Sequence, residues 1–413
     1  MRQRPQVCII GLGYIGLPTA ATLARAGHSV VGVDVNPAVV EGINAGRVHI
    51  VEPDLPELVR EMVASGRLWA GANAVLADTY LICVPTPLTG GGPIPTPDIS
   101  HVLAAARSIA GVVGDGGLVI IESTCPVGTT EQVRDELGRA GAPVDLIHLA
   151  YCPERVLPGR ILDELTANDR IIGGIDEASS AAAVAFYESF VTGSLLTTTS
   201  RTAEMVKLVE NSYRDVNIAF ANEVSILSEH LDIDAWEVIR LANRHPRVQI
   251  LQPGPGVGGH CIAVDPWFIV AQDPEEARLI RTAREVNDAK TDWVVSRILE
   301  EASRLQSALG RPIRVACLGL AYKPDVDDLR ESPAVRVARE IKDAGIDVIA
   351  CEPHIETHPV FELHTADDAI AQADLVAILV RHTEFLGRAF GEKPVLDFCG
   401  ATRTAGDLAR AAT

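Results

Sequence analysis

The chain opens on an uninterrupted apolar run, Val7 to Ile10, followed by glycines, an apolar segment and a second run, SVVGVD, ending on Asp34. Four apolar residues without alternation suit a strand buried on both faces of a parallel sheet. The order is therefore strand, glycine turn, helix, strand. Further strands are expected at TYLICVPTP and GGLVIIESTCPVG, with helix at ISHVLAAARSIAGVV between them. From Arg201 to about Leu231 there is neither glycine nor proline, which predicts one helix of about 45 Å at 1.5 Å per residue. A helix of that length usually spans a domain junction or a subunit interface. More helix follows at DAWEVIRLANRH and, after a glycine-rich hinge, at EEARLIRTAREVNDAKTDWVVSRILEEASRL. A second strand–helix alternation begins at IRVACLGLAYKP and runs through DVIACEP, ADLVAILV and KPVLDFC, although its turn lacks the third glycine.

The pattern predicts an α/β protein: two Rossmann-like doubly wound domains joined by a helical central region with one long helix. The expected boundaries are 1–199 for a first Rossmann domain, 200–305 for the central helices, and 306–413 for the second sheet.

Composition narrows the function. Against 55 acidic side chains stand 36 basic ones, a formal charge of −19, which argues against a general nucleic-acid binder. A small anion could still find a basic cleft at Arg244 and Arg247 or at Lys323 and Arg330. No apolar run approaches the roughly 20 residues of a membrane span. Eight cysteines show no C-x-x-C pair and no metal-ligand spacing with the eleven histidines. Neither disulfides nor a metal is therefore expected, and a reducing cytoplasm is favoured. The start enters a strand after six residues, leaving no room for a secretory apolar region.

Three constellations carry candidate chemistry. Gly11, Gly13 and Gly16 form G-x-G-x-x-G between a strand and a helix, with Asp34 at the next strand end. Such glycines permit a tight turn and let a pyrophosphate approach a helix N-terminus. Asp34 can accept ribose hydroxyls and repel a 2′-phosphate, which favours NAD over NADP. Cys261 sits in GPGVGGHCIAVDP beside His260, with Asp265 four residues on. A lone cysteine is more often a small buried hydrophobe, but glycines at this density suit close approach to a ligand. Lys207 and Asn211 share a helix face, with Arg214 near them, where the ordinary alternative is a solvated polar stripe. Thr124, Glu154 and Arg155 follow strand-like runs, at the edge that faces the ligand crevice in doubly wound sheets.

With GLGYIG, VPTP, ESTCPVGT, YCPERVLPG, RTAEMVKLVENSYRDVNIAFANE, RHPRV, GPGVGGHCIAVDP and GLAYKPDVDDLRESP in place, the chain resembles the nucleotide-sugar 6-dehydrogenases, the UDP-glucose and GDP-mannose dehydrogenase group, from about Val7 to about Phe398. The resemblance implies oxidation of a sugar C6 alcohol to a carboxylate with two NAD, Cys261 being the nucleophile that forms a thiohemiacetal and then a thioester. It implies oxyanion stabilisation by Lys207 and Asn211, and proton or water handling by Asp265, Glu154 and Thr124. Cofactor contacts are implied at Gly11, Gly13, Tyr14, Ile15, Gly16, Asp34, Pro85, Thr86, Thr124 and Arg330. Substrate contacts are implied at Arg155, Val156, Lys207, Asn211, Arg214, His245, Arg247, Gly258, Tyr322 and Lys323. The second sheet would hold the UDP moiety, and the long helix would pair two subunits. NRHPRVQILQPG and IAVDPWF are similar to the branch acting on UDP-N-acetyl-D-mannosamine, with UDP-N-acetylglucosamine or another UDP-hexose as the alternative. Cys125 stands where relatives often carry serine, next to Thr124, and reads as a tolerated small residue that would complicate thiol labelling. A silent NAD- and UDP-sugar-binding protein is disfavoured, because it could dispense with Cys261, Lys207, Asn211 and Asp265.

Overall fold

Val7–Ile10 forms the central strand β1 of an eight-stranded sheet, with all four side chains buried. The computed structural model describes residues 5–90, 92, 94–259 and 261–403 and falls into two compact units, Met1–Val209 and Glu210–Thr413.

In the first unit β1 is joined by β2 (Val30–Val33), β3 (Leu68–Gly71), β4 (Thr79–Ile82), β7 (Leu118–Ile121), β8 (His148–Tyr151), β9 (Arg170–Gly174) and β10 (Leu195–Thr199). The short β5 (Leu88–Thr89) and β6 (Thr96–Pro97) form a separate antiparallel ribbon. Strand order in the large sheet is β10-β9-β8-β7-β4-β1-β2-β3, parallel throughout except between β8 and β9. Val7 and Ile9 feed the core on one face, and Cys8 and Ile10 the core on the other. The central strands are buried on both faces while the edge strand β10 is largely exposed, as expected when helices cover a parallel sheet. The chain leaves β1 in opposite directions toward β2 and β4, so the switch point lies between β1 and β4.

The second unit repeats this plan in a smaller sheet. Its strands are β11 (Arg314–Leu318), β12 (Asp347–Cys351), β13 (Leu375–Ile378) and β14 (Val395–Asp397), all parallel, in the order β12-β11-β13-β14. The expected long helix is Ser200–His230 with 31 residues, and the further helix expected after the glycine hinge is Arg278–Leu309 with 32. The first crosses the division between the units. The second buries Val294, Val295, Ile298 and Ala302 in the core of the small sheet. Buried Asp215 joins the two helices, accepting from Arg284 Nη1 at 2.7 Å and Asn287 Nδ2 at 2.8 Å. Among the described residues no helix is long and apolar enough to cross a membrane.

Candidate active site

The glycine turn after β1 is shaped by close approach. Gly11 has φ +94°, and a Cβ there would lie 2.4 Å from the Cys83 carbonyl oxygen. A Cβ on Gly16 would lie 1.8 Å from the Gly11 oxygen, whereas Gly13 faces open space. The helix Gly16–Arg25 starts there with no side-chain cap, which leaves its first amides for an anion. At the end of β2, half-buried Asp34 accepts from Leu12 N at 3.0 Å through Oδ2 and from Asn36 N at 2.9 Å through Oδ1. Tyr14 is exposed and Ile15 half-buried beside the turn. These features fit NAD: a pyrophosphate against Gly13 and the helix start, and ribose hydroxyls at Asp34.

Across the switch point the exits of β4 and β7 are tied together. Thr86 Oγ1 donates to the Thr124 carbonyl at 2.7 Å, and Ser123 Oγ accepts from Val84 N at 2.9 Å. Pro85 is exposed at this edge and Thr124 half-buried. Cys125 is fully buried, which suits a small residue enclosed in the core.

Glu154 is also buried. Its Oε2 accepts from Arg170 Nη1 at 2.5 Å and its Oε1 from Arg155 N at 2.7 Å. The Arg155 guanidinium reaches the Asp169 carbonyl at 2.5 Å, and Val156 is half-buried. The sequence reading missed Arg170, which starts a different strand and carries no local motif. It also missed Glu122, which accepts from Tyr187 Oη at 2.7 Å and from Cys83 Sγ at 3.3 Å. Burial pushes the Glu122 carboxyl up to about 7, with the Arg170 guanidinium pulling against it. A protonatable acid thus lies beside the Glu154–Arg170 pair.

In the second unit Cys261 is the one exposed thiol among the described residues. Burial pushes other thiols up, Cys8 to about 11 and Cys152 and Cys317 to about 12, so they are poor nucleophiles near neutral pH. The Cys261 carbonyl accepts from Asp265 N at 2.8 Å as the chain enters the helix Asp265–Gln272. Asp265 is buried, and its Oδ2 accepts from Asn211 Nδ2 at 2.6 Å. Half-buried Lys207 lies one turn before Asn211 on the first long helix, and Arg214 is exposed on it. His260 lies outside the described residues.

The glycines before Cys261 have a packing cause as well. A Cβ on Gly258 would meet Glu331 O at 2.5 Å, and one on Gly259 would meet the Tyr322 ring at 2.8 Å. Gly259 N donates to Arg330 O at 3.0 Å. The thiol loop is therefore laid backbone-first against the segment carrying Tyr322, Lys323 and Arg330. Lys323 Nζ lies 5.6 Å from the Tyr322 ring centroid, and Arg330 folds onto Asp328 at 2.6 Å. Burial raises the Tyr322 hydroxyl, and the neighbouring Asp328 and Cys261 add to the shift. His245 and Arg247 are exposed on a turn after the helix Ala235–Ala242, closed by Asn243, which bonds Ile250 O at 2.9 Å and Ile250 N at 2.7 Å.

The first unit thus gathers Gly11, Gly13, Tyr14, Ile15, Gly16, Asp34, Pro85, Thr86 and Thr124 about one switch point. The second gathers Asn211, Asp265, Cys261, Gly258, Tyr322, Lys323 and Arg330. Arg330 is tied to this second group through its carbonyl, which accepts from Gly259 N.

Known proteins share this plan. Three domain models of the UDP-glucose/GDP-mannose dehydrogenase family match the chain: the NAD binding domain over residues 5–191, the central domain over 201–289 and the UDP binding domain over 316–403. A UDP-N-acetyl-D-mannosamine dehydrogenase of Salmonella typhi is 50% identical over 420 residues, covering 96% of this chain and 99% of its own. An NDP-N-acetyl-D-galactosaminuronic acid dehydrogenase of Ralstonia nicotianae is 50% identical over 393 residues, covering 92% and 91%. Among solved structures, a UDP-D-ManNAc dehydrogenase from Pyrococcus horikoshii matches with a TM-score of 0.86 at 38% identity, over 96% of each chain.

Proposed function

Because the chain belongs to the UDP-glucose/GDP-mannose dehydrogenase family and is an NAD-dependent nucleotide-sugar dehydrogenase, we propose that it oxidises UDP-N-acetyl-D-mannosamine at C6 to UDP-N-acetyl-D-mannosaminuronate. The observation that carries the substrate is the 50% identity, over nearly the whole chain, to enzymes named for that sugar. Exposed Cys261, with buried Asp265 behind it, supports the four-electron chemistry.

NAD, when bound, accepts the hydride lost from C6 in each of the two oxidations. The residues of the chain do the rest. The Cys261 thiolate adds to the aldehyde carbon, and its oxygen becomes an oxyanion or hydroxyl of a thiohemiacetal. Loss of hydride leaves a thioester, which water cleaves to the carboxylate and the free thiol. Asp265 fixes the Asn211 amide by accepting one of its two N–H groups, which leaves the other for the oxyanion. Lys207 supplies a second donor and a proton carrier. Glu154, kept in place by Arg170, takes a proton from the hydrolytic water, and Thr124 positions that water or the cofactor. Arg155, Val156, Arg214, His245, Arg247, Gly258, Tyr322 and Lys323 hold the nucleotide sugar, and Arg330 reaches the cofactor.

The same reading assigns residues 1–199 to NAD, 200–305 to the thiol loop and subunit pairing, and 306–413 to the UDP moiety. A homodimer is supported by Met205, Val209, Tyr213, Phe220 and Leu227, all exposed apolar residues of the first long helix. At 3.6 residues per turn they fall within an arc of roughly 80°, an uncovered stripe of the kind that pairs helices. Eight free cysteines support work in the reducing cytoplasm.

The test is NADH formed per sugar consumed, with UDP-N-acetylmannosamine and UDP-N-acetylglucosamine offered separately. Two NADH from the mannosamine sugar and little from its epimer are expected. Two from another N-acetylated UDP-hexose alone would move the substrate, a second reading that the Ralstonia relative favours. Normal acid formation by Cys261→Ser would remove the thioester.

A further inference from the structure

The second unit holds a cluster that the proposed reaction does not use. Asp325, His354, His382 and Glu384 bring one ligand-type atom each to within 4.8 Å of one another. They come from three separate segments: the loop after β11, the exit of β12 and the exit of β13. His354 Nε2 is buried and makes no hydrogen bond among the described residues. It points at two carboxylates, with Glu384 Oε2 at 3.5 Å and Asp325 Oδ1 at 3.8 Å.

We propose that Asp325, His354 and Glu384 form a zinc-type divalent cation site, three protein ligands with the fourth position left to water. Zinc bonds of about 2.0–2.1 Å put tetrahedral ligands about 3.3–3.5 Å apart, so the two separations from His354 Nε2, 3.5 and 3.8 Å, need only a small contraction. One imidazole and two carboxylates suit a borderline cation rather than magnesium or calcium, which prefer oxygen alone. The surroundings are those of a supported ligand set. The Asp325 carboxylate accepts from Thr383 N and Thr383 Oγ1, each at 2.8 Å. His382 does not ligate. Its Nδ1 accepts from Asp325 N at 2.9 Å, so its Nε2 carries the proton and donates to Glu352 at 3.0 Å. It therefore fixes the loop that presents Asp325, and its ring lies 4.8 Å from that of His354. Asp325 and Glu384 are partly exposed, which gives the ion a route in. Bound there, the cation ties the loop of Tyr322, Lys323 and Arg330 to the exits of β12 and β13.

This site is independent of the substrate proposed above, and its test reads metal rather than turnover. The full chain, stripped with a chelator and with Cys261 blocked by iodoacetamide, is equilibrated with micromolar zinc, and bound metal is measured after gel filtration. About one zinc per chain is expected, as for a single three-ligand site, together with a higher melting temperature. His354→Ala and Asp325→Asn should each lower zinc affinity at least tenfold. Glu384→Gln gives the same comparison at an exposed position if either variant fails to fold. No stoichiometric zinc in the blocked protein, or unchanged zinc in the variants, overturns the proposal and leaves His354 as a packing neighbour of two carboxylates.

Discussion

The two glycine turns, one in each unit, are built alike and used differently. After β1, Gly11 takes φ +94° and its N–H bonds Val33 O at 2.8 Å; after β11, Gly319 takes φ +90° and its N–H bonds Cys351 O at 2.8 Å. In both, an acid at the end of the next strand accepts the amide that follows. Asp34 takes one amide of the turn, from Leu12, and stays half-exposed. Glu352 is buried and accepts from Leu320 N at 2.7 Å, Ala321 N at 2.8 Å and His382 Nε2. Ala321 and Pro324 stand where the first turn has Gly13 and Gly16. The first helix therefore starts at once, at Gly16, whereas the second waits until Pro333 and leaves a long loop. The lesson is chemical. A turn whose amides are already taken by a buried carboxylate has nothing left for a pyrophosphate, and the loop in place of the helix start becomes free to present Tyr322, Lys323 and Arg330.

The largest test of that contrast is Gly16→Val. The added side chain cannot fit against the Gly11 carbonyl, and NAD affinity should fall at least about 100-fold, near 2.7 kcal/mol, by calorimetry. Ala321→Gly, placing a glycine in the second turn, should create no dinucleotide site; NAD binding by the double variant that is tighter than, or additional to, that of Gly16→Val alone would break the comparison.

Next, Glu352→Ala strands two amides and a buried histidine and should cost about 3 kcal/mol in denaturant unfolding. Asp34→Ala should leave stability within about 1 kcal/mol while weakening NAD roughly tenfold and improving NADP. Equal stability losses would mean that Asp34 is a structural brace like its counterpart.

The acids of the two units should also titrate with opposite sign. For Glu352, burial acts to raise the pKa, but the hydrogen bond of His382 and the two amides hold it below the ordinary value. Its stabilisation is present above the unfolded value near 4.3 and is lost as pH falls through the depressed one. Glu122, raised to about 7, acts the other way: stability falls as pH climbs from about 4.3 to that value. Melting temperature against pH should flatten near neutrality in Glu122→Gln, and a curve parallel to that of the parent protein would refute the assignment. The smallest effect concerns thiols. Mass spectrometry after brief iodoacetamide treatment should find Cys261 modified first, and Cys125→Ser should leave the labelling unchanged.

Much of this was present in the linear chain. Uninterrupted apolar runs identify central parallel strands because both of their faces must be covered. Gly11 and Gly16 mark a turn that no side chain can enter, and Asp34 follows at a distance set by one strand–helix–strand unit. Cys261 and Asp265 are adjacent because a single helix start orients both. Contacts made between distant segments were not legible. Arg170 meets Glu154, Glu122 meets Tyr187, and the glycines near Cys261 meet Tyr322 only because strands ordered β10-β9-β8-β7-β4-β1-β2-β3 and a folded loop bring them together. Histidine spacing likewise held no sign of Asp325, His354 and Glu384. Local sequence determines which backbone conformations are open and which faces are apolar; which charges become neighbours is decided when separate strand ends meet at one edge of a sheet.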